Sequence, residues 1–504
     1  MDILVELNLF GRDYEQEMRP LIRAFFPGAD FEVSQYEADD ASMRLIFAKE
    51  ETPGMLSCNA SNAYSFCMLL MEEWFRIRIY KEGKLIGSAD ADGVDSERKA
   101  YRNRVAREVY RVLSEETGHG LPWGILTGVR PTKLVYELLE EGRSEEEIGS
   151  ILRKEYLISE QKLATSLTIA KRELSLLREM DYKNGYSIYI GIPFCPTTCA
   201  YCSFTSYPLA RFGKMADDYL DALEKEIRFL GSIRPKEKLS TVYIGGGTPT
   251  ALNEAQLERL LRMVRDYLPM DEVLEYTVEA GRPDSVTRRK LELLKEYGVS
   301  RISINPQTMQ QRTLELIGRK HTVSQICEAF KLARECGHDN INMDIIIGLN
   351  GETPEDVADT LSKIAELDPD NLTVHTLALK RAARLTTEKE SFAGMEATGV
   401  SAMLAETISY AEKHNYKPYY LYRQKNMAEN LENVGYARPG REGLYNILIM
   451  EEKQTILAAG AGAMSKFVFY DEDRIERVEN VKSLTDYISR VDEMIKRKKD
   501  FLGL

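Results

Sequence analysis

The sequence has few of the features that mark membrane, secreted or nucleic-acid-binding proteins. No uncharged stretch reaches the roughly 18 residues of a membrane span, so we expect no membrane-spanning helix. The first residues lack the basic and apolar parts of a signal peptide, from which we expect a cytoplasmic protein. The formal net charge of -13 argues against general binding of nucleic acid, although a local basic site stays possible.

Cysteine is also scarce, with seven in 504 residues. An odd and small number of cysteines in a long chain without an export signal argues against a disulfide framework and favours free thiols or metal ligands. Cys58, Cys67, Cys327 and Cys336 are scattered, and we interpret them as ordinary buried thiols. The other three stand close together.

The length and the local patterns predict about three domains, since a domain with a single hydrophobic core has roughly 150 residues. We place them at 1–180, 181–384 and 385–504. In the first, runs at 3–9, 43–48 and 74–80 indicate an antiparallel sheet, followed by helices at 97–115 and from 145 to about 180. This domain is therefore expected to be α+β.

From residue 186 onward, short apolar runs alternate with amphipathic helices. The expected strands are 186–192, 240–244, 273–280, 299–304, 341–347 and 372–377. The expected helices lie near 214–230, 254–267, 284–296, 323–336 and 354–366. This alternation predicts a parallel sheet with helical crossovers, and six such units indicate an incomplete barrel. A helix near 401–414 and a final charged helix follow.

The three neighbouring cysteines form a CxxxCxxC loop directly after the first of these strands. They are Cys195, Cys199 and Cys202. Thiolates are soft ligands that suit an iron–sulfur cluster, and three of them leave one iron of a [4Fe–4S] cluster open. A zinc site and three unconnected thiols are the alternatives, but zinc in closed sites prefers four ligands.

Polar residues and glycines lie within or directly after the other expected strands. They are Gly245 to Thr250, Glu279, Asn305, Gln307, Asp344, Gly348 and His375 to Ala378. The carboxyl ends of parallel barrel strands meet at one face, so we expect these residues beside the cysteine loop. For any single member, such as Asp344, a structural capping role stays open.

Several of these segments also occur in a fixed order over residues 186–470. They are Tyr189 with residues 192–202, the glycine-rich stretch 245–250, Glu279 in Val-Glu-Ala, Gln307, Arg319 in Gly-Arg-Lys-His, Asp344 in Asn-Met-Asp-Ile-Ile-Ile-Gly-Leu, and Ala378. Together they resemble the oxygen-independent coproporphyrinogen III oxidase family of radical S-adenosylmethionine (SAM) proteins, and most closely its HemZ branch. The resemblance implies an α/β fold with a partial (β/α)6 radical SAM barrel, an N-terminal α+β domain and a C-terminal extension.

The resemblance also implies a cofactor set. A [4Fe–4S] cluster would be held by the three cysteines, and SAM by the positions that match the family. Those positions are Tyr189, Tyr201, Gly246, Gly247, Thr248, Glu279, Gln307, Arg319, Asp344 and Ala378. Arginine suits the methionine carboxylate, and the acidic and amide side chains suit the amino group and ribose hydroxyls. The implied partners are a tetrapyrrole and an electron donor such as flavodoxin or ferredoxin.

The residues that we expect to contact the substrate lie in the segment after residue 384. A tetrapyrrole with four propionates needs cations, and we expect Arg423, Arg438 and Arg441 to contact propionates, with a solvated basic loop as the alternative. Two departures from the established decarboxylases are Gly191, where they have histidine, and Phe204, where they have a further cysteine. Phenylalanine occurs there in the heme-chaperone branch, so a heme-binding chaperone and radical chemistry on another tetrapyrrole stay open.

Overall fold

The computed structural model describes residues 3–37, 63–95, 97–202, 206–233, 237–378, 399–424 and 431–504. Contacts divide the chain into two units, Met1–Ala170 and Lys171–Leu504.

The first unit is built on a sheet that has five strands in its described part. The strands are β1 (Leu4–Gly11), β2 (Asp30–Tyr36), β3 (Ala63–Leu70), β4 (Phe75–Lys81) and β5 (Lys84–Ala91), in the order β2-β1-β3-β4-β5. The expectation of an antiparallel sheet is correct for β3, β4 and β5 but wrong for β1, which pairs parallel with both β2 and β3. Helix α1 (Glu15–Phe25) supplies the crossover that a parallel β1–β2 pair requires. The expected strand at 43–48 lies outside the described residues.

The helices of this part of the chain follow the expected pattern with one break. They are α2 (Arg98–Thr117), α3 (Lys133–Glu140), α4 (Glu145–Tyr156) and α5 (Glu160–Glu179). The expected helical stretch from residue 145 is thus two helices. Leu157 ends the first of them in the left-handed region at φ 56°, while a capping box at Ser144 begins it.

The second unit contains one large sheet, with eleven strands in the described ranges, and a short separate pair. The strands are β6 (Gly185–Ile192), β7 (Phe194–Cys195), β8 (Tyr207–Pro208), β9 (Lys238–Gly246), β10 (Glu275–Glu279), β11 (Arg301–Ser303), β12 (Ile341–Ile347), β13 (Asn371–Thr376), β14 (Lys417–Tyr422), β15 (Asn433–Ala437), β16 (Thr455–Ala459), β17 (Met464–Phe469) and β18 (Arg474–Glu479). The pair is β7 with β8.

The centre of the large sheet is the expected partial barrel. Strands β6, β9, β10, β11, β12 and β13 are neighbours in that order, and every pair among them is parallel. The sheet does not close on itself, because β15 and β14 continue it beyond β13, and β16, β17 and β18 continue it beyond β6. This confirms an open α/β barrel of six parallel strands.

Helices cross between the parallel strands, as right-handed βα units require. They are α6 (Leu209–Phe212), α7 (Ala216–Ser232), α8 (Glu254–Tyr267), α9 (Arg288–Glu296), α10 (Gln311–Leu316), α11 (Val323–Glu335) and α12 (Pro354–Leu367). Three further helices follow the barrel: α13 (Val400–Lys413) after β13, α14 (Leu444–Glu451) after β15 and α15 (Leu484–Leu502) after β18. Capping boxes at Asn253, Thr322 and Thr353 fix where α8, α11 and α12 begin. None of the helices in the described ranges combines the length and apolarity of a membrane-crossing segment.

The segment 385–504 contributes strands to both edges of the barrel sheet. Strand β15 pairs antiparallel with β13, whereas β16 pairs parallel with β6. The sequence predicts a separate domain at 385–504, whereas the contacts place this segment in one unit with the barrel. The difference arises because the apolar strands of this segment satisfy the open edges of β6 and β13.

Candidate functional site

The cysteine loop leaves the carboxyl end of β6, the first strand of the barrel. Cys195 lies in β7, and the backbone amide of Cys202 donates to the carbonyl of Cys199 at 3.2 Å. Cys199 is buried and the other two are partly buried. Burial, with a smaller contribution from the neighbouring thiols, raises the pKa of Cys195 to about 11, although the hydrogen bond with Thr248 lowers it. The loop thus groups three thiols at the end of the barrel.

The three thiols are the donor set that this loop offers. In the part of the chain that the structure describes, no group of three Cys, His, Asp or Glu side chains is arranged to hold a single metal ion. Three cysteine thiolates on one short loop are the ligand type that a [4Fe–4S] cluster takes.

The glycine-rich turn after β9 packs directly against the cysteine loop. The Gly247 amide donates to the carbonyl of Ile192 at 2.7 Å, and the Thr248 amide donates to that of Phe194 at 2.7 Å. A Cβ on Gly247 would lie 2.6 Å from the Phe194 carbonyl oxygen and 3.0 Å from the Cys195 sulfur. Gly246 has φ 108°, in the region that favours glycine. The glycines therefore keep the space beside Cys195 free of side chains.

An acidic group ends β10 beside a stack of tyrosines. Glu279 accepts a hydrogen bond of 2.6 Å from the Tyr243 hydroxyl. The Tyr243 ring stacks on Tyr445 with centroids 4.5 Å apart and lies 6.2 Å from the Tyr189 ring. Burial, with a contribution from the Asp344 charge, raises the pKa of Glu279 to about 7. This carboxyl is thus poised to exchange its proton when a cation binds beside it.

Gln307 lies beyond the end of β11, and its backbone pairs with β12 beside Asp344. The Gln307 amide donates to the Asp344 carbonyl at 2.9 Å, and Gln307 has φ 68°, which few non-glycine residues adopt. Its side-chain oxygen is buried and has no hydrogen-bond partner within the described ranges. Burial alone would raise the pKa of Asp344. The hydrogen bonds from His375 and Asn342 nevertheless hold this pKa below its ordinary value.

Arg319 joins this end of the barrel to the cysteine loop. Its guanidinium donates to the Tyr201 hydroxyl at 3.2 Å and to the Asn305 carbonyl at 2.5 Å. Its Nε is buried and has no partner among the described residues. The amide of Ala200 donates to the Ile317 carbonyl at 2.9 Å, which fixes the loop on the other side of Tyr201.

The chemistry of these groups fits a cluster with SAM beside it. The thiolate donors are grouped, the glycines leave a cradle that a Cβ would fill, and a buried acceptor on Gln307 and a buried donor on Arg319 lack partners in the described part. Buried polar atoms in proteins almost always have partners, so these two atoms are available to hydrogen-bond with a bound ligand. A zwitterionic ligand with hydroxyls matches this mixture of acidic, amide and cationic groups.

The structure brings the cysteines and the ten positions implied for SAM to the carboxyl ends of the barrel strands. Ala378 lies two residues after the end of β13 and is partly buried. Phe204 lies outside the described residues. Arg423 also stands at this end, after β14, where it is buried, and burial lowers its pKa to about 10.

The other two expected substrate arginines lie at the opposite end of the barrel, which corrects their placement. Strand β15 runs antiparallel to β13, so its last residue pairs with Asn371 at the beginning of that strand. Arg438 follows there and forms an ion pair with Asp368, and Arg441 pairs with Asp339 at 3.5 Å. The side chains therefore have partners away from the cysteines.

The sequence analysis missed residues that complete the site. Tyr243 and Tyr445 flank Glu279, and Arg282 contacts Cys199. Arg282 carries a signal in the sequence, since it comes just after the expected strand 273–280, which contains Glu279, and therefore lies at the same end of the barrel. Tyr445 does not, because nothing in its local pattern shows that α14 packs inside the barrel.

Comparisons with known proteins agree with this geometry. Residues 189–364 match the model of the radical SAM superfamily. The chain is 42% identical over 408 residues to the oxygen-independent coproporphyrinogen-III oxidase-like protein HemZ of Bacillus subtilis, which covers 80% of this chain and 81% of that protein. It is 38% identical over 195 residues to the heme chaperone HemW of B. subtilis, covering 38% of this chain and 51% of HemW.

A solved structure supports the same assignment. The coproporphyrinogen III oxidase HemN of Escherichia coli, described as a radical SAM enzyme, aligns with a TM-score of 0.51 and 26% identity over 64% of this chain and 73% of HemN. The chain therefore belongs to the radical SAM superfamily and, within it, to the HemN-like family of oxygen-independent coproporphyrinogen III oxidases, in the HemZ branch.

Proposed function

We propose that this protein is a radical SAM oxidoreductase that converts propionate side chains of coproporphyrinogen III to vinyl groups, giving protoporphyrinogen IX in anaerobic heme biosynthesis. The observation that carries the proposal is the similarity to a coproporphyrinogen oxidase-like protein over 80% of the chain. We also propose a cytoplasmic location and electron delivery by flavodoxin or ferredoxin.

In this proposal each group of site residues binds a different part of the cluster and SAM. Cys195, Cys199 and Cys202 hold the [4Fe–4S] cluster. Arg319 binds the carboxylate of SAM, and Glu279, Gln307 and Asp344 accept hydrogen bonds from its amino group and ribose. Bound together, the cluster and SAM supply one-electron cleavage of SAM to the radical that abstracts hydrogen. Tyr189, Tyr201, Gly246, Gly247, Thr248 and Ala378 shape the space around the adenosine and methionine parts.

Arg423 is the cation that we propose for a substrate propionate. It is 3% exposed and stands at the end of β14, on the cysteine side of the barrel. A guanidinium removed from water interacts more strongly with a carboxylate than an exposed one does. Burial already disfavours its charge, as its lowered pKa indicates, so a propionate beside it would be stabilising.

A second candidate function is heme binding and delivery without decarboxylation. It is favoured by the 38% identity with HemW over 195 residues and by Phe204, which matches the heme-chaperone branch. Radical chemistry on another tetrapyrrole is the third candidate.

An anaerobic assay separates these functions. Reconstituted protein with SAM, dithionite and coproporphyrinogen III should form protoporphyrinogen IX and 5′-deoxyadenosine together. Cys199→Ser should abolish both products, whereas Cys336→Ser, which changes a partly buried thiol at the carboxyl end of α11, should abolish neither. Stable heme binding with no vinyl product would contradict the oxidase and support the chaperone.

Arg423→Gln tests the substrate side within the same assay. Loss of one carboxylate contact should raise the KM for coproporphyrinogen at least about tenfold, about 1.4 kcal/mol of binding. Cleavage of SAM without substrate should persist, which shows that the fold and the SAM site survive. Arg441→Gln, at the other end of the barrel, is the matched control and should leave the KM unchanged. Equal effects of the two variants would remove Arg423 from the substrate site.

A further inference from the structure

A buried arginine contacts the cysteine loop from the turn that follows β10. Arg282 lies in the turn that follows β10 and is 3% exposed. One of its terminal nitrogens, Nη1, donates to the Thr197 hydroxyl at 3.0 Å and to the Cys199 sulfur at 3.7 Å. Both partners belong to the CxxxCxxC loop. A single cation therefore contacts a residue between two cysteines and one of the cysteines itself.

Arg282 is held in place by a carboxylate two residues later. Its Nε and Nη2 donate to the two oxygens of Asp284 at 2.8 and 2.6 Å. Such a two-point pair fixes the plane of the guanidinium and leaves Nη1 free to point at the loop. The buried His321 lies behind the pair, with Nδ1 3.6 Å from Asp284. The arginine is thus oriented before any ligand binds.

We infer that Arg282 is a positioning residue for the cluster proposed at Cys195, Cys199 and Cys202, and that its charge raises the reduction potential of that cluster. The inference rests on the proposed cluster. Arg282 holds the loop through Thr197 and the Cys199 thiolate, and Asp284 orients it and offsets part of its charge. Outer groups that hydrogen-bond to metal ligands commonly orient them and tune the metal in this way.

The sign of the effect follows from electrostatics. Reduction adds one electron, supplied by the external donor, and makes the cluster site more negative by one charge without making or breaking a bond. A buried cation beside a thiolate stabilises the reduced state more than the oxidised state, and low exposure weakens screening. Removing the arginine charge should therefore make reduction harder, and removing the Asp284 charge should make it easier.

The test compares Arg282→Gln, Arg282→Lys and Asp284→Asn in the full chain after anaerobic reconstitution. Iron and sulfide per chain report loop positioning, and a dithionite titration followed by electron paramagnetic resonance reports the midpoint potential. For Arg282→Gln we expect the reduction equilibrium to weaken at least tenfold, about 59 mV more negative for one electron. Arg282→Lys keeps the charge and should stay closer to wild type, and Asp284→Asn should shift in the opposite direction.

A second arginine–cysteine pair provides a matched control. Arg288 lies 3.8 Å from the Cys336 sulfur and 2.5 Å from Glu335, with its side chain exposed to solvent and away from the cysteine loop. Arg288→Gln therefore removes the same kind of pair from the surface. It should change neither the iron content nor the potential.

The outcomes separate this inference from the proposed function. If wild type binds no cluster, the proposed function fails. If wild type binds one and Arg282→Gln has the wild-type potential, the inference is overturned. If Arg282→Gln loses the cluster altogether, the positioning role is supported and Asp284→Asn decides the charge role: an upward shift supports it, and no shift or a downward shift overturns it.

Discussion

At the scale of single residues, Glu279 is the acidic group with the clearest expected pH dependence. Its ordinary pKa is 4.5, and burial, together with the Asp344 charge, raises it to about 7 in the folded chain. Between these values the folded protein keeps a proton that the unfolded chain has lost. The contribution of this proton to the free energy of unfolding is therefore fully present below pH 4.5, and it is lost as the pH rises to about 7.

We predict that Glu279→Gln flattens this pH dependence, because an amide does not ionise. The difference in stability between variant and wild type should grow by roughly 1–3 kcal/mol across the window, in favour of the variant at the high end. Thermal unfolding midpoints of the cofactor-free protein at several pH values measure it. Tyr243→Phe removes a hydrogen bond that lowers this pKa, so its window should extend upward. Parallel profiles for wild type and Glu279→Gln would contradict the assignment.

The sequence allowed prediction of those site residues whose position follows from strand order. Gly247 follows β9, Glu279 ends β10 and Asp344 lies within β12. Parallel strands bring their carboxyl ends together. Arg438 and Arg441 were misplaced because the direction of β15 is not visible in its own residues. That strand returns antiparallel to β13 and carries its last residues to the opposite end.

At the scale of elements, the parallel strands were the most predictable part of the fold. β12 occupies 341–347 as expected, and α8 occupies 254–267 as expected, because a buried strand and a capped amphipathic helix each have a local pattern. Which strand pairs with which is a long-range property. β16 reads as a short apolar run, but nothing within it specifies that it pairs parallel with β6.

A buried ion pair ties the last helix to the barrel. Lys498 of α15 and Glu226 of α7 are both fully buried, with 2.6 Å between Nζ and Oε1. Glu226 also accepts hydrogen bonds from Asn480, Tyr487 and the Gly460 amide. The two elements and the turn after β16 therefore meet at one carboxylate.

We predict that Lys498→Met destabilises the protein by about 3 kcal/mol or more, since it leaves the Glu226 charge buried without a cation. The thermal unfolding midpoint should fall by several degrees. Lys496→Met changes an exposed lysine on the same helix and should shift stability by no more than about 0.5 kcal/mol. Similar midpoints for the two variants would show that the pair contributes little and that α15 is held by its apolar face.

At the scale of the whole molecule, the extent of the barrel unit has a direct consequence for fragments. Strands β14 and β15 cover the β13 edge, and strands β16, β17 and β18 cover the β6 edge. A barrel that ends at residue 384 would expose two parallel strands with unpaired backbone groups and buried apolar side chains. Such edges are prone to pair with other chains.

We predict that a fragment of residues 159–504, which begins before α5 and keeps every strand of the sheet, folds, whereas 159–384 does not. Far-ultraviolet circular dichroism and limited proteolysis measure this, with the full chain as reference. The longer fragment should resist proteolysis as the full chain does over the same residues, and the shorter one should aggregate or be digested. A folded, monomeric 159–384 fragment would show instead that 385–504 is an independent domain, because the six parallel strands would then be stable with both edges uncovered.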